Sequence, residues 1–305
     1  MKLGEFELCA ISDGHFWLDG GSMFGVVPKV LWNKVSPADK HNRIRLALNC
    51  LLVRSKEKSL LIDTGIGEKF SRRSKEIYKL ERSTDLLSSL AQHEVNPEDI
   101  DYVINTHLHF DHCGGNTTNS GGKYVPTFPN AKYVIQRQEW FSAHNTDEKT
   151  KSSYRASDFM PLEEAGQIQF VDGDDDIIPG IRVLLTNGHT LGHQSVLISS
   201  GKNAALYLGD VIPTSYHLRP HYLTGFDLYP VDLVLRKKAI VESAVNAKHV
   251  LIFEHDPNVI FARLEGTEGA VKLVPIKGQK GVGSKRRSMK VSRVGKPRSK
   301  RRQSR

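Results

Sequence analysis

The sequence predicts a layered α/β sandwich, and three observations lead to it. Apolar runs of strand length recur along most of the chain. Strand-rich blocks are each followed by a segment with helical spacing. The 305 residues, 39% hydrophobic and 25% charged, can bury a sizeable core without staples.

Residues 5–11 alternate apolar and polar as a strand does. Residues 46–54 and 59–63 are apolar runs separated by a charged segment, 55–58, which reads as a hairpin. Residues 84–93 carry Leu86, Leu87, Leu90 and Ala91 at helical spacing, with Thr84 or Asp85 suited to cap them. Residues 102–106 form a short buried strand. Residues 132–136 read as a strand and 137–144 as a short helix. Residues 181–186, 195–199 and 204–208 are strands separated by Gly-containing breaks. Residues 231–246 are helical, with Val234, Leu235, Ile240, Val241 and Val245 apolar, and 249–253 are a last buried strand.

Charge is unevenly spread. Residues 276–305 hold thirteen of the 43 Lys and Arg and no Asp or Glu. Residues 1–275 therefore carry 30 basic against 34 acidic side chains, a net −4. The tail has no apolar period and reads as disordered, so the expected domains are 1–275 and a basic tail, 276–305. A start without an apolar leader run, and the absence of an ~18-residue apolar stretch, give the expectation of a cytoplasmic protein with no membrane contact. Three cysteines, Cys9, Cys50 and Cys113, are too few and too odd for a disulfide framework.

The chemistry-bearing signal is Thr106-His107-Leu108-His109-Phe110-Asp111-His112, on a loop directly after the 102–106 strand. Three imidazoles and a carboxylate in six residues suit a zinc-like ion. The apolar Leu108 and Phe110 and the following Gly114-Gly115 argue against a surface histidine run. His189 in Asn187-Gly188-His189-Thr190-Leu191-Gly192-His193, Asp210 in Leu208-Gly209-Asp210 and His255 in Phe253-Glu254-His255-Asp256 each follow an apolar strand. Metal-type residues at the ends of four strands would form one cluster at one edge of the sheets.

This ordered set, THLHFDH, GHT…GH, GD and a late His, resembles the metallo-β-lactamase superfamily over nearly all of residues 1–275. Asp63-Thr64-Gly65 is similar to that family's early Asp-x-Gly segment. The resemblance implies a four-layer αββα sandwich holding two divalent ions, zinc in the first instance. It assigns His107, His109 and His189 to one ion, Asp111, His112 and His255 to the other, and Asp210 to both. His193 would orient a loop or ligand, and Cys113 would be a buried neighbour. A metal-bridging hydroxide would then attack an ester or lactone carbonyl, with Asp111 passing a proton to the leaving alkoxide.

Residues 18–32, with the run DGGSMFGVVPKVLW, are similar to the branch that opens N-acyl-homoserine lactones and so silences quorum signals. The segment would line the pocket, or serve as a packed arm or homodimer contact. Relatives in that branch carry a Tyr three residues after the bridging Asp, where this chain has Pro213. Candidate substrate contacts are therefore Phe24, Phe110, Tyr216, Tyr222 and Tyr229. Two further readings compete: phosphotriester hydrolysis by the same centre, and a nuclease that uses the basic tail on a polyanion. The acidic body and the lack of aromatic residues in the tail disfavour the nuclease.

Overall fold

The computed structural model describes residues 1–267 and 270–276, so the basic tail from residue 277 lies outside the described residues. Strands β1 (Lys2–Leu3), β2 (Phe6–Asp19), β3 (Arg43–Arg54), β4 (Ser59–Ile62) and β5 (Tyr102–Ile104) lie side by side in a first sheet. A separate hairpin, β6 (Thr117–Ser120) and β7 (Lys123–Pro126), precedes β8 (Lys132–Gln136) and β9 (Ile168–Val171), which complete that sheet. The second sheet takes β10 (Asp175–Ile178), β11 (Ile181–Leu185), β12 (Gln194–Ser200), β13 (Asn203–Tyr207), β14 (Val250–Ile252), β15 (Phe261–Thr267) and β16 (Ala270–Pro275) in sequence order. The helices are α1 (Gly20–Phe24), α2 (Lys29–Trp32), α3 (Arg72–Ile77), α4 (Leu86–Ala91), α5 (Phe110–Cys113), α6 (Arg137–His144), α7 (Ala156–Glu164) and α8 (Pro230–Asn246).

Side-chain alternation decides the layers. On β3, Leu51 and Val53 enter a core shared with Val183, Val196, Tyr207 and Ile252 of the second sheet. Cys50 and Leu52 point the other way and meet Leu86 and Leu90 of α4 and Phe159 and Leu162 of α7. On the second sheet, Leu206 and Leu251 face Leu233, Ile240 and Ala244 of α8. Each strand thus has one face in the inter-sheet core and the other under helices, which is the αββα order.

Two central regions are parallel: β4, β5, β8 and β9 in one sheet, and β13 with β14 in the other. Their carboxyl ends point to the same edge, where ligands of parallel sheets gather.

Several elements depart from the expectations. The first strand runs to Asp19 because a bulge between Ser12 and His15 absorbs the polar interruption. Gly14 sits there at φ 97°, with Glu81 O only 2.7 Å from where a Cβ would be. Asp85, not Thr84, caps α4 by accepting from Ser88 N at 2.7 Å. The strands expected to reach Asp63, Thr106 and Thr186 each stop earlier, and these residues turn toward the site. Helix α7 contains Pro161, which cannot donate to Ser157 O; Thr117 Oγ1 donates there instead, at 2.6 Å. The hairpin β15–β16 extends the second sheet past the last strand read from the sequence. Ile276, which follows β16, packs against the inter-sheet core.

A chain ending at Ile276 is expected to unfold in urea with the midpoint and m value of the full chain. One ending at Ile260, which strips two strands from the second sheet, should lose cooperativity or fall by several kcal/mol. A full-length-only transition would place the tail inside the folding unit.

Candidate metal centre

Five strand ends deliver the site. The strand β5 releases the loop carrying His107 and His109, and a single turn, α5, lifts Asp111 and His112 into line. His189 follows β11, Asp210 follows β13 and His255 follows β14, while Asp63 follows β4. All are buried. At the turn after β13, Gly209 has φ 53°, and a Cβ there would lie 2.8 Å from His193 Nε2.

The two sheets are tied to each other at this edge. Gln194 N donates to Thr106 O at 2.8 Å, and Gln194 Nε2 to Asn105 O at 2.8 Å. Ala47 N donates to His255 O and Asn49 N to Glu254 O, both at 3.1 Å.

All seven residues expected at the centre come together, in two triads. Donor atoms of His107, His109 and His189 lie within 4.8 Å of one another, as do those of Asp111, His112 and His255. Asp210 stands between them: Oδ2 is 3.3 Å from His189 Nε2, and Oδ1 is 3.2 Å from His255 Nε2 and 3.6 Å from His112 Nε2. Ring nitrogens face each other at 3.2 Å between His109 and His189 and at 3.1 Å between His112 and His255. His107 Nε2 and Asp210 Oδ1 are buried without a hydrogen-bond partner. Burying polar atoms unpaired is costly, and a cation among these donors would satisfy them. The donor set, imidazole with carboxylate, fits zinc-like divalent ions.

The opposite side of four of the five rings is held in turn. His189 Nδ1 meets Asp227 Oδ1 at 2.8 Å, and His255 Nδ1 donates to Ala47 O at 2.8 Å. His112 Nδ1 faces Glu254 Oε2 at 2.8 Å and Asp63 Oδ2 at 3.1 Å. His107 Nδ1 meets Thr106 Oγ1 at 3.1 Å. Such partners fix tautomer and ring angle. His193, which lies in neither triad, accepts from Asp210 N at 2.9 Å and meets Thr186 Oγ1 at 2.8 Å. Neither Asp227 nor Glu254 was read from the sequence as a ring-orienting carboxylate, because nothing in local spacing separates such a carboxylate from a surface one.

Burial and adjacent imidazoles, His112 for the first and His189 for the second, hold His107 and His109 well below the usual histidine range. Both effects favour the neutral form, whose lone pairs can bind a cation. Burial also opposes charge on His112, His189 and His255, but carboxylates overcome it. Glu254 and Asp210 hold His112 well above its ordinary value. Asp210 and Asp227 raise His189, and Asp210 raises His255 to about 9. Against its own burial, Asp210 is held well below the carboxylate range by His255, His112 and His189. Burial, helped by Asp63, pushes Glu254 up to about 8. The carboxylates thus favour positive charge at this place, which a bound cation would also supply.

The candidate substrate contacts are spread around this core. Phe24 has no exposed surface; it stacks between Trp32 and His217 at centroid distances of 5.4 and 4.9 Å. Tyr222 is buried edge-on to Phe24, with its hydroxyl accepting from Arg219 Nη1 at 2.7 Å. Phe110 packs against Phe70 and Tyr78 beneath the Arg155 guanidinium. Tyr216 is half-buried beside the same aromatic cluster, and Tyr229 is 38% exposed just before α8. Pro213 offers its carbonyl to His255 N at 3.0 Å. Cys113 is buried and donates to Leu108 O.

Asp227→Asn is expected to weaken divalent-ion binding by roughly 10–100-fold through misorientation of His189, as removal of such partners does. Chelator competition on the purified protein measures it; unchanged affinity would detach Asp227 from the site.

Comparison with known proteins agrees with this geometry. An N-acyl homoserine lactonase from Bacillus cereus is 30% identical over 228 residues, covering 70% of this chain and 83% of that protein. A probable metal-dependent hydrolase from Staphylococcus aureus superposes with a TM-score of 0.85 at 29% identity, over 92% of this chain and all of the other. The dizinc quorum-quenching lactonase AidC, solved with a product, shares the fold with a TM-score of 0.76 at 23% identity, over 92% and 97% of the two chains. Residues 44–253 match the metallo-beta-lactamase superfamily. The chain belongs to that superfamily and is one of its hydrolases.

Proposed function

We propose that this hydrolase opens lactones, N-acyl-homoserine lactones foremost, at a centre of two zinc ions. The observation that carries the reading is Asp210, which offers one oxygen to each of two separate triads. Three ligands and half a carboxylate on either side suit two ions better than one. The lactonase relatives, at about 30% identity, give the substrate class its support.

His107, His109 and His189 would hold one ion, Asp111, His112 and His255 the other, and Asp210 both. Bound there, the ions supply acidified water and an electrophile for the carbonyl oxygen. The side chains of Asp111 and Asp210 keep 10% and 11% of their surface exposed, so both carboxylates retain some access from solvent. Asp111 would take a proton and return it to the leaving oxygen. Ring opening makes that transfer decisive, since the released alkoxide stays tethered to the acid and closes again unless protonated. Asp63, Asp227 and Glu254 hold the rings in register during this transfer. No hydroxyl follows Asp210 at the position of Pro213, so any tyrosine contact to the carbonyl comes from elsewhere, Tyr216 being nearest in sequence.

Elemental analysis of the purified chain is expected to give two zinc per chain. Asp210→Ala should lose most of that metal and nearly all turnover. A variant that kept both ions at full activity would remove Asp210 from the centre.

Homoserine lactones should release acid into a weakly buffered indicator. Asp111→Asn keeps a coordinating oxygen but should slow turnover by ~10²-fold or more while retaining metal. Rapid phosphotriester cleavage with no acid from any lactone would transfer the activity to phosphotriesters.

A further inference from the structure

Glu139 is a buried carboxylate that the reaction as described does not use. It lies on α6, 1% exposed, and three segments converge on it. Its Oε1 accepts from Leu108 N and from Tyr154 Oη, both at 3.0 Å; its Oε2 accepts from Thr190 Oγ1 at 2.6 Å. Leu108 separates His107 from His109, and Thr190 follows His189. Tyr154 adds a second link, its ring edge-on to His109 at a centroid distance of 4.9 Å. The fit is close: a Cβ on Gly192 would lie 2.2 Å from Glu139 N.

These ties run to one triad only. His107 and His109 leave the first sheet and His189 leaves the second, so a single side chain braces ligand loops of different sheets. Asp63, Glu254 and Ala47 O hold His112 and His255 instead. Burying a carboxylate is unfavourable, and burial raises its pKa; three donors offset that cost and fix the loops relative to each other. A triad fixed in advance spends less of its binding free energy on ordering.

We propose that Glu139 is a positioning residue that sets the metal affinity of the His107–His109–His189 triad and leaves the other triad unaffected. The proposal rests on the two-ion reading above. Zn²⁺ alone, in competition with a chromophoric chelator, tests it in two backgrounds: His255→Ala, which keeps the braced triad intact, and His109→Ala, which keeps the other. Glu139→Leu should weaken the remaining ion about tenfold or more in the first background and less than about twofold in the second. Glu139→Gln, which can still accept from Leu108 N, should recover most of the loss. Thr190→Val removes one tie without touching the buried charge and should give an intermediate loss in the first background alone, which keeps the test open if Glu139→Leu does not fold. Equal weakening in both backgrounds, or none in either, overturns the proposal. One zinc rather than two on the unmutated chain would defeat the two-ion reading separately, while the His255→Ala background still reports on Glu139.

Discussion

The ends of strands from two different sheets must be kept within a few ångströms of each other, and the rest of the molecule is arranged around that requirement. Apolar packing between the sheets, in the core that holds Val53 and Val183, supplies an attraction that is itself non-directional. Direction comes from hydrogen bonds at the site edge. Gln194 N to Thr106 O fixes β12 against the loop after β5, and Ala47 N to His255 O fixes β3 against the loop after β14. Asn49 adds its side chain, donating to Phe253 O at 3.3 Å and Asp256 O at 3.1 Å. A slip of one residue at either place would turn a ligand away from the cluster.

Local electrostatics and global packing pull in opposite directions here. A core of this size would be more stable with apolar residues at Asp63, Asp210 and Glu254, because buried charge seldom repays its desolvation. The site keeps them because each imidazole that is to bind a cation needs a fixed orientation and a neighbour that tolerates positive charge. Such concentrated violations of ordinary packing mark a functional centre within an otherwise consistent fold.

Much of this was legible in the sequence. The THLHFDH run announced itself because three imidazoles sit beside apolar residues directly after a strand, and the strand and helix at Lys132–Gln136 and Arg137–His144 have the bounds their patterns gave. The strand β2 was cut short because Asp13 and Gly14 interrupt its alternation, and only the fold shows that a bulge spends them on holding another loop: Asp13 Oδ2 accepts from Ile66 N at 2.8 Å and Gly67 N at 3.0 Å. Helix α7 was hidden by Pro161, whose missing donor leaves the Ser157 carbonyl to a threonine forty residues before it, Thr117. Asp227 and Glu139 were illegible for the same reason. A carboxylate that orients a ring or joins two loops differs from a solvated one only in its distant partners, and no local period encodes those.

The centre draws its groups from positions 107 to 255, with the members of one triad, His112 and His255, separated by 143 residues. Contacts of such sequence separation are slow to form, because loop-closure entropy is spent before the contact rewards it. The chain cannot complete its site during synthesis until its last central strand has emerged and paired. Before then, the closely spaced candidate ligands on offer are His107, His109, Asp111 and His112, and an ion bound to them alone would stabilise a partly made molecule too. Under the two-ion reading, the complete ligand set exists only once both sheets have closed, so full coordination would report that both are in place.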